Sequence, residues 1–191
     1  MGYRTIALCA MATCLLTGLG YTGLAKANGS QMAIYSSYYK SCLDVQSASI
    51  APGAPVQNFA CAGTPNQLWN AIVVDYDEMS TIVRFESANS GLCMDLAAAT
   101  AQVGVAVVQA PCDPASWSQR WKVGVPVTTQ TKGASGLNNV SVIYTDNTIS
   151  LVRTITNYGS GLCLNASANG QGAVQWTCNQ ATQQNWRLPP L

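Results

Sequence analysis

Six of the eight cysteines in this chain have the spacing that most clearly implies chemistry. They fall into three consecutive pairs separated by 19, 19 and 15 residues: Cys42 and Cys61, Cys93 and Cys112, Cys163 and Cys178. Similar separations predict one disulfide within each pair if the chain is exported to an oxidising compartment. Each bridge would stabilise the fold by roughly 3 kcal/mol by restricting the unfolded chain. The alternative is zinc, which is disfavoured because the chain has no histidine and no Cys-x-x-Cys pair, so we predict no metal site.

Groups that could catalyse a reaction are scarce. The absence of histidine excludes His-based triads and most general-base schemes. A glycosidase needs two carboxylates across a cleft, and the dense acidic group of this chain is Asp75, Asp77 and Glu78. These residues fall between two predicted strands, where a solvated hairpin turn is the simpler interpretation. Since no glycine-rich phosphate-binding loop is present either, the sequence predicts neither an enzyme nor a cofactor.

The first 27 residues have the pattern of a secretory signal peptide. A basic start precedes an uncharged run at 5–25, and Ala-Lys-Ala at 25–27 is a cleavage site of the usual type. We expect a mature chain that begins at Asn28, is secreted or periplasmic, and does not span the membrane after cleavage. One alternative is an uncleaved anchor, since the run is nearly long enough to cross a bilayer. Another is a lipid anchor on Cys14, which the preceding Met-Ala-Thr matches poorly.

Charge is unusually sparse, with 9% charged residues against about a quarter in an ordinary soluble domain. Removal of Arg4 and Lys26 with the signal peptide leaves seven basic and eight acidic side chains, a net charge of about −1. Such a surface cannot neutralise a row of phosphates. Nucleic-acid binding is therefore disfavoured.

The cysteine pairs belong to a unit that the sequence repeats three times. The first cysteine of each pair opens a Cys-Leu/Met-Asp/Asn triplet, and a Gln-x-Trp triplet ends 8 or 9 residues after the second cysteine. The units span about residues 32–74, 82–125 and 149–188. The last two units are further apart by 18 residues, which predicts an insertion at about 126–147, as a long surface loop or an extra hairpin.

Between these motifs, short apolar or alternating runs are broken by Gly, Pro, Asn and Ser, a pattern typical of an all-β domain. The predicted strands are 56–61, 68–74, 81–85, 106–110, 121–125, 141–144, 149–155 and 174–178. The Ala-rich segment 96–101 has helical propensity, but it holds the same place in its unit as 45–51, so we predict no helix there. The length of 191 residues fits one well-packed domain.

Three units with a Cys-Leu-Asp-like triplet, a second cysteine and Gln-x-Trp resemble the ricin B-type lectin domain, a β-trefoil. The resemblance covers nearly all of residues 28–191 and implies an all-β fold of three repeats with pseudo-threefold symmetry. In that family each repeat supplies four strands to a barrel and its cap, and the motif tryptophan packs into the shared core. By resemblance, then, Trp69, Trp121 and Trp186 are core residues and not platforms for a ligand.

The resemblance also implies where each repeat would bind a sugar. A galactose-type ring has an apolar face that suits an aromatic ring, and vicinal hydroxyls that donate and accept hydrogen bonds. By resemblance, the carboxylate ends the first triplet, the aromatic lies two residues before the second cysteine, and an amide precedes the motif glutamine. The first repeat has every group, and its predicted carbohydrate-binding residues are Asp44, Gln57, Phe59, Asn66 and Gln67. The alternative is that Phe59 packs inward and Asp44 is a turn carboxylate.

The second repeat lacks an aromatic platform. It keeps Asp95 and Gln119, but Ala110 stands at the platform, Val108 at the polar partner and Ser118 at the amide. Without a ring it is not expected to hold a sugar.

The third repeat is predicted to be a weaker second site. Trp176 is a good platform, and Gln183 and Gln184 lie at the motif, yet Asn165 replaces the carboxylate and Val174 the polar partner. An amide accepts hydrogen bonds less strongly than a carboxylate.

The resemblance predicts a lectin that recognises galactose-type sugars on cell-surface or extracellular glycans, mainly through its first repeat. Because a single shallow site binds weakly, we expect the chain to act in an assembly. The alternative is a non-catalytic delivery subunit of a multipart bacterial toxin that docks a catalytic partner, since the ending at 186–190 resembles the ends of lectin-like subunits of cytolethal distending toxins. A third hypothesis, a protease inhibitor, is supported only by shared architecture.

Overall fold

The computed structural model describes residues 31–124, 142–145, 148–189 and 191. The predicted signal peptide, 1–27, lies outside the described residues, as does most of the predicted insertion at 126–147. No helix in the described ranges is long and apolar enough to cross a membrane. The described residues form β-strands joined by turns and by four single-turn 3-10 helices, at Gln46–Ala48, Pro65–Gln67, Trp117–Gln119 and Thr182–Gln184.

Fifteen strands are described, and they are numbered in chain order. They are β1 Gln31–Ala33, β2 Tyr35–Ser36, β3 Ser41–Val45, β4 Val56–Phe59, β5 Leu68–Asp77, β6 Ser80–Ser87, β7 Cys93–Leu96, β8 Val107–Ala110, β9 Trp121–Gly124, β10 Val142–Thr145, β11 Thr148–Leu151, β12 Ile155–Asn157, β13 Cys163–Asn165, β14 Val174–Trp176 and β15 Trp186–Arg187. The all-β prediction is therefore confirmed.

The strand pairing repeats three times around the molecule. Each repeat has a central hairpin, formed by β3 with β4, β7 with β8 and β13 with β14. The last strand of one repeat pairs with the first strand of the next, as β5 does with β6 and β9 with β12. Strand β15 of the third repeat pairs with β2 of the first, so the three repeats close on each other.

The tryptophans of the Gln-x-Trp triplets form the centre of the core, as predicted. Trp69, Trp121 and Trp186 are fully buried. Each indole N–H donates to a backbone carbonyl of the central hairpin in its own repeat, Leu43 O, Met94 O and Leu164 O, at 3.1, 3.2 and 2.9 Å. An indole N–H can only donate, so this bond lets the whole ring leave water without an unpaired polar group.

Three disulfides join the cysteines within each repeat, as the spacing predicts: Cys42–Cys61, Cys93–Cys112 and Cys163–Cys178. Each ties the start of a central hairpin to the segment that leads into the Gln-x-Trp triplet. The bridge therefore fixes the loop that carries the amides before each motif tryptophan.

The predicted single strand at 149–155 is wrong, because β11 ends at Leu151 and β12 begins at Ile155. The two strands pair with different neighbours, β11 with β10 and β12 with β9. Between them, the Arg153 N–H donates to Trp186 O at 2.7 Å and Arg153 O accepts the Trp186 N–H at 3.0 Å. A third partner therefore interrupts what looks in sequence like one apolar run.

Residues 97–104 contain no helix, and the structure thus supports ranking the repeat above alanine propensity. The strands that the sequence did not predict are two to five residues long: β1, β2, β3, β7, β13 and β15. Three of these begin at or one residue before the first cysteine of a pair. The carboxylate or amide that ends each Cys-Leu/Met triplet consequently lies in a strand.

The acidic group lies in the β5–β6 hairpin, as predicted, although β5 is longer than expected and contains Asp75 and Asp77. Glu78 lies in the turn. The Lys122 ammonium donates to Asp77 at 2.9 Å and holds the pKa of that carboxyl below its usual value, with help from the Met79 N–H. Asp77 therefore forms an ion pair at the surface, where such pairs contribute little to stability.

Gly159 lies so close to the ring of Trp117 that no residue with a Cβ fits at this position. A Cβ at this position would lie 2.0 Å from Cε3 of Trp117, a ring that packs against the core. We expect Gly159→Ala to displace Trp117 and to lower the free energy of unfolding by about 1–3 kcal/mol, measured by urea denaturation. Gly172→Ala is the control, because a Cβ there meets nothing closer than Val56 O at 3.9 Å. Equal stability losses in the two variants would contradict this account.

Candidate functional site

The register of each central hairpin places the candidate residues beside each other. In the first repeat, Cys42 pairs with Phe59 and Asp44 with Gln57. Alternate residues of a strand share a face, so Gln57 and Phe59 project on the same side of β4. The same register recurs in the other repeats, where Asp95 faces Val108 and Asn165 faces Val174.

Asp44 is the centre of an amide network in the first repeat. Its Oδ1 accepts from Gln57 Nε2 at 2.9 Å, and its Oδ2 accepts from Asn66 Nδ2 at 2.8 Å and from Gln67 Nε2 at 3.0 Å. Only 3% of Asp44 is exposed. Three donors offset the cost of burying this carboxylate, and they leave about one of its roughly four lone-pair positions for a ligand. Since Asp44 lies inside β3, the alternative of a turn carboxylate is wrong.

Gln67 positions the network from inside the protein. Its Nε2 also donates to Ala60 O at 2.8 Å, and its Oε1 accepts the N–H groups of Ala62 and Gly63 at 2.7 and 3.2 Å. Both amide hydrogens are thus used within the protein, and the side chain is buried. Gln67 orients Asp44 and shapes the loop after the disulfide. It also lines the same surface depression as Asp44, and its contact with a sugar stays a prediction.

Phe59 presents its ring to solvent beside this network. It is 45% exposed, so the alternative that it packs inward is wrong. It lines a surface depression of about 460 Å³ together with Asp44, Gln57 and Asn66, bordered by residues 46–48 and by Gly170 of the third repeat. The structure thus brings an aromatic ring, a carboxylate and two amides to one opening. Their role in binding a sugar stays a prediction.

In the second repeat, both oxygens of the Asp95 carboxylate accept hydrogen bonds from within the protein. Asp95 Oδ2 accepts from Gln119 Nε2 at 2.9 Å, and Oδ1 accepts from the Leu96 N–H at 2.7 Å. Ser118, at the amide position, is buried and bonds to Ser116 at 2.8 Å. With Ala110 at the platform, this face offers neither a ring nor an array of amides.

The third repeat forms a second depression of about 490 Å³, in which Trp176 is 44% exposed. Asn165 Oδ1 accepts from Gln184 Nε2 over a long 3.4 Å, and Asn165 Nδ2 donates to Ala166 O at 2.9 Å. Gln183 and Val174 also line this depression, whereas Gln184 is buried behind it. The arrangement copies the first repeat without its carboxylate.

Tyr39 lines the depression of the third repeat, and the sequence did not indicate it. It comes from the turn between β2 and β3 of the first repeat and lines the opening with Trp176 and Asn165. The equivalent positions in the other repeats are Ser90 and Ser160. The sequence signal for Tyr39 was that one repeat has tyrosine where the other two have serine. That difference does not show which neighbouring repeat the tyrosine ring would contact.

A second missed set is a buried amide just before each platform: Asn58, Gln109 and Gln175. Each holds a loop of a neighbouring repeat. Gln109 Nε2 donates to Ser49 O and Ala51 O, Gln175 Nε2 donates to Thr100 O and Gln102 O, and Asn58 Oδ1 accepts the Ser167 N–H. We call these contacts the inter-repeat clasp. Next to the loop that Gln175 holds, a Cβ on Gly104 of the second repeat would lie 3.6 Å from the ring of Trp176. A polar residue at the same place in all three repeats was the signal that could have found the clasp.

Comparison with known proteins supports the architecture seen here. A family model described as ricin-type beta-trefoil lectin domain-like matches residues 23–110 and, in a second overlapping match, residues 65–143. Together these matches cover more than half of the chain. None of the curated proteins matches this chain significantly.

Among solved structures, the designed three-fold symmetric protein ThreeFoil is 20% identical with a TM-score of 0.63, over 84% of this chain and 99% of that one. A lectin of Polyporus squamosus, bound to Neu5Acα2-6Galβ1-4GlcNAc, is 20% identical with a TM-score of 0.59, over 85% of this chain and 50% of that one. The cytolethal distending toxin of Haemophilus ducreyi is 14% identical with a TM-score of 0.55, over 84% of this chain and 83% of the matched one. This chain thus spans about half the Polyporus lectin chain. At such identities the likeness establishes the fold, and the predicted β-trefoil is confirmed.

Proposed function

The chain belongs to the ricin-type β-trefoil lectin domain-like family, and from that premise we propose that it is a non-catalytic lectin whose main site is the depression of the first repeat. The observation that carries the proposal is the buried Asp44, held by three side-chain amides beside the exposed ring of Phe59. This combination offers a ring face and a preorganised acceptor at the same opening. A sugar needs both.

A galactose-type ring fits these groups. Its C–H bonds gather on one face and would pack on Phe59, while a vicinal hydroxyl would donate to the free lone pair of Asp44. Gln57 uses one N–H on Asp44 and has a second for a sugar oxygen. That the Polyporus lectin of the same fold is bound to a galactose-containing epitope supports this class of sugar.

Export is the setting in which such a protein would meet extracellular glycans. Three disulfides support it, because oxidising compartments let such bonds form and persist. We therefore propose a secreted or periplasmic protein, cleaved after residue 27, whose partners are cell-surface or extracellular glycans.

The test is titration of the mature protein with methyl β-D-galactopyranoside, followed by isothermal calorimetry. Phe59→Ala removes the platform, and we expect the affinity to fall about tenfold, equivalent to roughly 1.4 kcal/mol. Asp44→Asn is expected to weaken binding at least as much, because its amide donates where the carboxylate accepts from Asn66 and Gln67.

Asp95→Asn is the matched control, since it makes the same change at the equivalent position of the second repeat. It should leave the affinity for the galactoside unchanged. A glycan array with the same proteins extends the test to other sugars. Binding that survives both Phe59→Ala and Asp44→Asn would show that the site lies elsewhere.

A second candidate function is that of a non-catalytic delivery subunit of a multipart bacterial toxin, which would bind a catalytic chain. Structural likeness to the Haemophilus ducreyi toxin favours it. So does a cluster of exposed apolar side chains on the β5–β6 hairpin, the kind of patch that marks a protein interface: Ile72, Val73, Val74, Tyr76 and Met79.

Purification from its own host separates these two functions. A delivery subunit should co-purify with a nuclease or another enzyme subunit, and Tyr76→Asp should abolish that association without changing sugar affinity. A chain that binds glycans and purifies alone would leave the lectin function without this role.

A further inference from the structure

The depression of the third repeat differs from that of the first in its charge. Asp44 provides a carboxylate in the first, whereas no residue that lines the third is charged. Its polar lining consists of side-chain amides and hydroxyls: Tyr39, Asn165, Ser167, Gln171, Asn179 and Gln183. The two openings therefore favour different ligands, although both have an exposed aromatic ring.

Asn165 reverses the hydrogen-bonding character at the centre of the site. A carboxylate can only accept, so Asp44 requires a hydroxyl from its ligand. Asn165 also donates, and one of its two N–H groups goes to Ala166 O, which leaves the other for a ligand. Amides at Gln171, Asn179 and Gln183 add further donors around the same opening.

A surplus of donors is best used by a charged acceptor. Hydrogen bonds to an ionised carboxylate are roughly twice as strong as neutral ones. The first depression is less suited to such a group, because the carboxylate of Asp44 can only accept hydrogen bonds and competes with the ligand for the same donors. The third contains no charge that would oppose it.

Two rings from different repeats complete this opening. Trp176 is 44% exposed, and Tyr39 of the first repeat lines the same depression. A tyrosine hydroxyl can donate a hydrogen bond as well as accept one. The pyranose of an acidic sugar would pack on Trp176, and its carboxylate would accept from the amides and from Tyr39.

We propose that the depression of the third repeat is a second binding site of opposite preference, for an acidic sugar of the hexuronic acid class. This inference rests on the proposed lectin function, which it divides between two sites. The first repeat binds a neutral galactose-type ring through Asp44 and Phe59. The third binds a carboxylated ring through Asn165, Trp176 and Tyr39.

The experiment compares two probes that differ only at C6: methyl β-D-galactopyranoside and the sodium salt of methyl β-D-galactopyranosiduronic acid. Each is titrated into the ¹⁵N-labelled mature protein while the tryptophan indole N–H signals are recorded. The Trp176 signal is assigned by its loss in Trp176→Phe. We expect the uronide to shift this signal, and the neutral galactoside to bind at the first site with loss of affinity in Phe59→Ala.

Asn165→Asp supplies the decisive variant, because it puts the carboxylate of the first site into the third. Repulsion between two carboxylates is expected to weaken uronide binding at least about fivefold, less so at high salt. Tyr39→Phe removes only a hydroxyl and should weaken it about threefold, as loss of one hydrogen bond does. Ala115→Asp adds the same charge at an exposed position of the second repeat, outside the depression, and should change nothing.

The outcomes separate the two ideas. If the galactoside binds and is lost in Phe59→Ala while the uronide leaves Trp176 unshifted, the second site is refuted and the lectin function stands. Uronide binding that Asn165→Asp leaves intact also refutes it. If neither probe binds, both the second site and the proposed galactose-type function are wrong.

Discussion

Trp69→Ala is expected to lower the free energy of unfolding by about 3–5 kcal/mol, the usual cost of emptying a fully buried aromatic site. Trp69 is completely buried at the centre of the threefold core, and its N–H donates to Leu43 O at 3.1 Å. The variant loses the packing of the ring and leaves that carbonyl without its partner. For a domain of this size, the loss amounts to a large share of the total stability.

Trp176→Ala is the matched control, because the same substitution removes a ring that is 44% exposed. We expect it to cost less than about 1 kcal/mol in stability, since much of the ring stays in water in either state. Urea denaturation followed by circular dichroism, with the disulfides kept oxidised, measures both. If Trp176→Ala proved as destabilising as Trp69→Ala, the division between core and platform tryptophans would be wrong.

The parts of the candidate site that could be predicted are those at a fixed sequence distance from the paired cysteines. Asp44 and Phe59 lie at fixed distances from Cys42 and Cys61, and the hairpin register between these cysteines sets their positions in space. The motif tryptophans are likewise fixed by their distance from the second cysteine of each pair. Spacing predicted these features because each is decided within one repeat.

What could not be predicted comes from contacts between repeats. Tyr39 reaches the depression of the third repeat from the first, and the break at 152–154 arises because Arg153 pairs with Trp186. A sequence pattern describes the faces of one strand at a time, and it does not show which distant segment meets them. The boundaries of β11 and β12 failed for that reason.

The three repeats share a scaffold and differ in what they leave free. In each, the motif glutamine donates to the residue that ends the Cys-Leu/Met triplet, at 3.0, 2.9 and 3.4 Å for Gln67, Gln119 and Gln184. This bond supports the fold in every repeat, including the second, which has no platform. The proposed function therefore depends on the residues beside this bond, such as Phe59 and Trp176.

A substitution in the inter-repeat clasp is also expected to lower the free energy of unfolding strongly. Gln175 is fully buried and joins two repeats. Its Nε2 donates to Thr100 O and Gln102 O, each at 2.7 Å, and its Oε1 accepts from Ser160 Oγ at 2.8 Å. Gln175→Met keeps the length of the side chain and removes all three bonds. Leaving two carbonyls without a donor is expected to lower the free energy of unfolding by about 2–4 kcal/mol.

Gln102→Met is the control within the same contact, because its side chain is exposed while its carbonyl accepts from Gln175. We expect it to change stability by no more than about 0.5 kcal/mol, as surface substitutions usually do. Amide hydrogen exchange adds a local readout. The N–H of Gly104 donates to Gln175 O at 2.8 Å. In Gln175→Met this N–H should exchange faster, because the loop at 100–104 loosens. Since Gly104 lies against Trp176, the shape of the depression of the third repeat should change as well. A stability equal to that of Gln102→Met, with unchanged exchange at Gly104, would mean that the backbone bonds alone hold the repeats together.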